Sequence, residues 1–103
     1  LAVTSATRSQ AAPEVPTVAE SGYPGYAVTL WYGLFVPTGT PPAIVARLHA
    51  ETVRAVKSPD VVERLLAQGV FAIGSTPAEL DRFLKADIEK WTRVIRAADI
   101  RPD

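Results

Sequence analysis

His49 is the first residue to test for chemistry, because histidine alone has an ordinary pKa suited to proton transfer near neutrality. A Ser/His/Asp triad would need it beside a nucleophile, and no G-x-S-x-G turn occurs to present one. His49 lies between Leu48 and Ala50 in a stretch of helical spacing and is expected to be a solvated helix residue. A metal site has equally little to build on: one histidine, no cysteine, and no carboxylate cluster at ligand spacing. The lack of cysteine also removes thiolate catalysis and disulfides, and selects no compartment. Asp81, Asp87 and Glu89 could pair as general acid and base, but Arg82, Lys85 and Lys90 sit among them. A solvated, salt-bridged helix face is the expectation. No phosphate-binding glycine loop of either common spacing is present. Gly22-Tyr23-Pro24-Gly25-Tyr26 reads as a turn. No cofactor and no enzymatic activity are expected.

Two places could bind rather than react. Trp31-Tyr32-Gly33 sets two large aromatics beside a glycine, which can line a cleft and admit a ligand close to backbone amides. The same residues read as the core of a buried strand, and on their own they favour that role. Thr4-Ser5-Ala6-Thr7 follows a short apolar run. Ligands of open α/β sheets sit beyond the carboxyl ends of strands, and three hydroxyls there could hold an anion without a metal. An ordinary polar turn is the alternative.

The elements that would position these groups are legible in part. Leu1-Ala2-Val3-Thr4-Ser5 reads as a strand already under way, with no methionine before it, so the chain is expected to be a piece of a longer polypeptide. Residues 6–26 carry Pro13, Pro16 and Pro24, which exclude a long helix. One helical turn is expected at Thr17-Val18-Ala19-Glu20, ended by Gly22. Ala27–Val36 is β-branched and aromatic and apolar on both parities, so a strand buried on both faces is expected, with a bulge or a close backbone approach at Gly33. Three helices follow. Thr40-Pro41-Pro42 opens the first, which runs to about Lys57, and Ser58-Pro59-Asp60 opens the second, stopped by Gly69. Phe71-Ala72-Ile73 is expected as a short strand. Thr76-Pro77-Ala78-Glu79 is a capping box opening the third helix, to about Ala98, with Leu80, Phe83, Leu84, Ile88, Trp91, Val94 and Ile95 in one apolar stripe. Strands alternating with helices give an α/β class.

With 103 residues the chain suits one small domain, and 48% hydrophobic against 21% charged residues argues against disorder. Lys plus Arg and Asp plus Glu balance at 11 each, and Arg8, Arg47 and Arg54 are dispersed, so nucleic acid is not an expected partner. No stretch approaches the roughly 20 apolar residues of a membrane helix.

An ordered series of segments resembles the Bug solute-binding proteins, the receptors of tripartite tricarboxylate transporters. It runs through Leu1-Ala2-Val3-Thr4-Ser5 with Arg8-Ser9, then Val15-Pro16-Thr17-Val18-Ala19-Glu20-Ser21-Gly22, then Trp31-Tyr32-Gly33-Leu34-Phe35-Val36-Pro37-Thr38-Gly39-Thr40-Pro41. Gly74-Ser75-Thr76-Pro77-Ala78-Glu79-Leu80 and the last helix with Trp91 continue it, over essentially the whole chain. The resemblance implies the C-terminal part of a two-lobed, periplasmic-binding-protein-like α/β fold. Residues 1–26 would belong to the second lobe, 27–36 would be a strand crossing at the hinge, and 37–103 would be the helical contribution to the first lobe. It implies a periplasmic receptor for a small organic anion, of the dicarboxylate or amino acid class, that serves membrane transporter subunits. Thr4 and Ser5 would be hydroxyl donors, and Trp31, Tyr32 and Gly33 cleft or hinge residues. The competing expectation is a structural or oligomerising module without ligand, a homo-oligomer that exchanges Ala27–Val36 or the N-terminal segment through open strand edges. A hydrolase is a distant third.

Overall fold

The structure is a computed structural model and describes residues 1–101. Three helices form where the capping signals place them: α1, Pro42–Val56; α2, Pro59–Ala67; α3, Pro77–Ala97. Each carries proline in its first turn, where the missing N–H would have had no helical partner. The capping box of α3 is complete. Thr76 Oγ1 accepts from Glu79 N at 3.2 Å, and Glu79 Oε2 accepts from Thr76 N at 2.7 Å.

The other two starts differ from expectation. Thr40 does not cap α1; its hydroxyl donates to Pro37 O at 2.7 Å, closing a turn, and Pro41 takes the cap position. Ser58 is the cap residue of α2, but its hydroxyl turns back to Ala55 O at 2.7 Å. A hydroxyl with a carbonyl of the preceding turn in reach satisfies that oxygen instead of the next helix.

α2 ends at Gly69 in a Schellman arrangement, with Gly69 N donating to Leu66 O and Val70 N to Leu65 O, both at 2.9 Å. α3 ends the same way at Asp99, whose φ of 48° places a non-glycine residue in the left-handed region. α1 packs against α2. His49 is half-buried rather than solvated, and its Nε2 lies 3.1 Å from Ser75 O. A carbonyl can only accept, so Nε2 carries a proton and the ring ties α1 to the start of α3.

The expected strands do not form. Among the described residues, Val3 and Thr17 make one isolated parallel bridge, and Ala27–Val36 and Phe71–Ile73 join no ladder. Backbone N–H and C=O groups of a strand need a neighbouring strand. Among the described residues, only Val28 of Ala27–Val36 donates its N–H to a backbone acceptor, Thr4 O at 2.8 Å. Burial on both faces is also absent: Leu30, Tyr32 and Leu34 are 79%, 81% and 76% exposed. The only buried residue among those described is Thr17. The Cα radius of gyration is 16.8 Å, against about 13 Å for a compact chain of this length.

Candidate functional site

The Thr4–Thr7 corner is an exposed bend held from below. Val3 N donates to Pro16 O at 2.9 Å and Val18 N to Val3 O at 3.0 Å, which fixes the corner's lead-in. The segment opposite, at Thr17, is itself fixed by a single helical turn. Thr17 Oγ1 accepts from Glu20 N at 3.0 Å and Glu20 Oε2 from Thr17 N at 2.7 Å, as expected for a turn at Thr17–Glu20. Gly22 follows with a φ of 113°, where glycine is favoured. Arg8 Nε reaches both Glu20 oxygens at 3.1 and 3.2 Å and its guanidinium donates to Pro13 O at 3.3 Å. The Thr17 N–H, and after it Arg8, hold the Glu20 carboxyl below its ordinary range. Arg8 is thereby committed to the scaffold.

What the corner offers is hydrogen-bond donors. Among the described residues, no protein acceptor takes the N–H of Thr4, Ser5, Ala6 or Thr7. Successive backbone N–H groups in a bend suit an anion. Ser5 Oγ donates to Thr7 O at 2.8 Å, so it presents lone pairs and must turn to donate outward. Thr4 is exposed.

The Trp31-Tyr32-Gly33 trio is split. Trp31 turns onto α3, where its indole Nε1 donates to Asp87 Oδ2 at 3.1 Å and its ring meets Phe83 edge-on, centroids 5.3 Å apart at 89°. Tyr32, on the other parity, is open to solvent with Leu30 and Leu34. Gly33 shows neither the expected bulge nor a close backbone approach; its near neighbours are side-chain rings of its own segment. A Cβ there would lie 2.9 Å from the Phe35 ring and 3.1 Å from that of Trp31. The two candidates are joined at one point, the Val28–Thr4 hydrogen bond.

Two residues escaped the sequence reading. Asp81 and Lys85 do form the surface pair expected of that face, at 2.7 Å. Asp87 and Lys90 instead face inward and are half-buried: Asp87 accepts from Trp31, and Lys90 Nζ donates to Ala27 O. The available signal was spacing. Asp87 lies four residues after Phe83 and four before Trp91, inside the apolar stripe, where a carboxylate calls for a donor. Among the described residues no group of three metal-ligating side chains occurs. Two open depressions lie elsewhere, one along α1 at Ile44, Arg47 and Leu48, the other at Lys57, Leu66 and Phe71. Neither includes the candidate residues.

Solved structures place the fold among periplasmic binding proteins. The chain superposes on the periplasmic binding protein BugD with a TM-score of 0.84 at 30% identity, over 99% of this chain and 35% of that one. It matches an R. palustris protein, Rpa4515, solved with adipate, with a TM-score of 0.85 at 34% identity, over 100% of this chain and 34% of that one. A family profile described as "Tripartite tricarboxylate transporter family receptor" matches residues 1–100, and the chain belongs to that family. Relatives include a UPF0065 protein from the tcbD-tcbE intergenic region of Pseudomonas sp. (strain P51), 45% identical over 92% of this chain, and BugT of Bordetella pertussis, 38% identical over 93% of it. The chain spans 29% of the length of each of those two relatives.

Proposed function

We propose that this chain forms one wall of a periplasmic receptor that captures a small organic carboxylate for the membrane subunits of a tripartite tricarboxylate transporter. The family match over residues 1–100 carries the reading. The adipate bound by the R. palustris relative supports a dicarboxylate as ligand. The chemistry asked of the corner is modest. A carboxylate is held by backbone N–H groups and hydroxyls, which favour negative charge without a metal and without breaking a bond. Residues 1–26 then belong to the lobe that carries Thr4 and Ser5, Ala27–Val36 crosses between lobes with Tyr32 facing the cleft and Trp31 and Gly33 at the hinge, and 37–103 contribute helices to the other lobe, residues 102 and 103 lying outside those described.

The test is titration of the full-length receptor carrying this sequence with adipate, other dicarboxylates, monocarboxylates and amino acids. Saturable binding of one organic anion, weakened by Thr4→Ala with Ser5→Ala, supports the reading; no saturable binding overturns it. A second reading, a self-associating module, draws on the open Leu30, Tyr32 and Leu34 face. Light scattering that shows a stable monomer at high concentration removes it.

A further inference from the structure

We infer that Asp87 and Lys90 of α3 are positioning residues for the solute corner: they pin the Ala27–Trp31 segment at two points, and that segment donates the Val28 N–H to Thr4 O. The inference rests on the proposed receptor function. Lys90 Nζ donates to the Ala27 carbonyl, and the next residue, Val28, donates its N–H to Thr4 O at 2.8 Å. Asp87 holds the other end through the Trp31 indole at 3.1 Å, with Phe83 against the ring edge. These ties join residues 56 and 63 positions apart in sequence.

Two ties differ from one. A segment held at a single point can pivot, and the Val28 N–H that braces Thr4 O would move with it. Asp87 and Lys90 stand three residues apart, about 4.5 Å along the helix axis, so together they fix both the position and the direction of the segment. Both groups are half-buried and both bonds involve a charge, which makes them stronger than ordinary surface contacts. Lys90 also lies over the Trp91 ring, 5.2 Å from its centroid, which limits the freedom of its stem. A salt-bridged solvent face would require neither arrangement. Asp81 and Lys85 on the same helix show what that face looks like, both exposed and bonded only to each other.

The experiment uses the full-length receptor with Asp87→Ala, Asp87→Asn, Lys90→Met and, as control, Lys85→Met. Asn keeps an oxygen that can accept from the Trp31 indole, and Met keeps the stem over Trp91. Amide hydrogen exchange is read at Val3, Val18 and Val28, the bonded N–H groups that brace the corner, and adipate affinity is read by calorimetry. Exchange at these amides is expected to rise by roughly tenfold or more in Asp87→Ala and Lys90→Met, the loss expected for one charge-assisted hydrogen bond. Asp87→Asn is expected to fall between Asp87→Ala and wild type, and Lys85→Met to stay near wild type. Adipate affinity should follow the same order while the thermal midpoint moves little. Unchanged exchange in Asp87→Ala and Lys90→Met overturns the positioning role, whether or not adipate binds. Equal loss in Asp87→Ala and Asp87→Asn overturns it too. A wild type that binds no adipate counts against the dicarboxylate reading alone, and exchange then decides the positioning role.

Discussion

Residues 1–103 expressed alone should fail to form a compact, cooperatively folded monomer. The accessible surface is 8511 Å², whereas a compact protein of this mass exposes about 5,700 Å². The excess of about 2,800 Å², somewhat over half of it apolar, is worth on the order of 40 kcal/mol of transfer free energy at ~25 cal/mol per Å². That exceeds several times the ~5–15 kcal/mol by which domains are ordinarily stable. The shortfall is visible residue by residue. No apolar side chain among those described is buried, and Leu30, Leu34, Ile73 and Ile88 are open. The assay is urea unfolding followed by near-ultraviolet circular dichroism of Trp31 and Trp91, with small-angle scattering for size. A broad, weakly cooperative transition is expected, with a radius of gyration at or above the 16.8 Å of the Cα trace. Rescue is expected on adding the rest of a full-length receptor. A two-state monomer with a radius near ~13 Å and a stability above ~5 kcal/mol would refute the reasoning.

Four further outcomes follow in the full-length receptor. Thr17→Val keeps the shape of the buried side chain but strips the acceptor from Glu20 N; a loss of about 1 kcal/mol is expected by urea unfolding. Gly33→Ala places a methyl against the Phe35 and Trp31 rings and should cost about 1 kcal/mol, at the low end for overpacking because the Phe35 ring is exposed and can move. Asp99→Gly relieves a left-handed backbone and should stabilise by up to ~1 kcal/mol, seen as slower exchange at the end of α3. The Thr17 and Thr76 N–H groups depress the carboxyls of Glu20 and Glu79, so their contribution is complete above the unfolded glutamate value of about 4.3. It should fade as pH falls through the lower folded values. Side-chain carboxyl NMR titration reads this, and midpoints at or above the ordinary value would contradict it.

The helices were legible because their signals are local. Pro42, Pro59 and Pro77 mark first turns, and Thr76 with Glu79 completes a box within four residues. Even there, nearby competition escaped the pattern: Thr40 and Ser58 found carbonyls behind them. The strands were legible only as tendency. Ala27–Val36 has the composition of a buried strand, but pairing is a long-range property, and the described residues supply it no partner strand beyond the one Val28–Thr4 bond. The corner at Thr4–Ser5 could be named from hydroxyl content, whereas its bracing by Arg8, Thr17 and Glu20 could not, since it closes over twelve residues of loop. Asp87 was read from its charged neighbours rather than from its place in the stripe. The split of Trp31 from Tyr32 follows from Asp87, so missing the one concealed the other.

The most direct measurement of the central claim is a crystal structure of the full-length receptor carrying this sequence, with adipate. A carboxylate oxygen is expected within about 3.2 Å of a hydroxyl or backbone N–H in Thr4–Thr7. Adipate bound with no contact to residues 1–33 would contradict it.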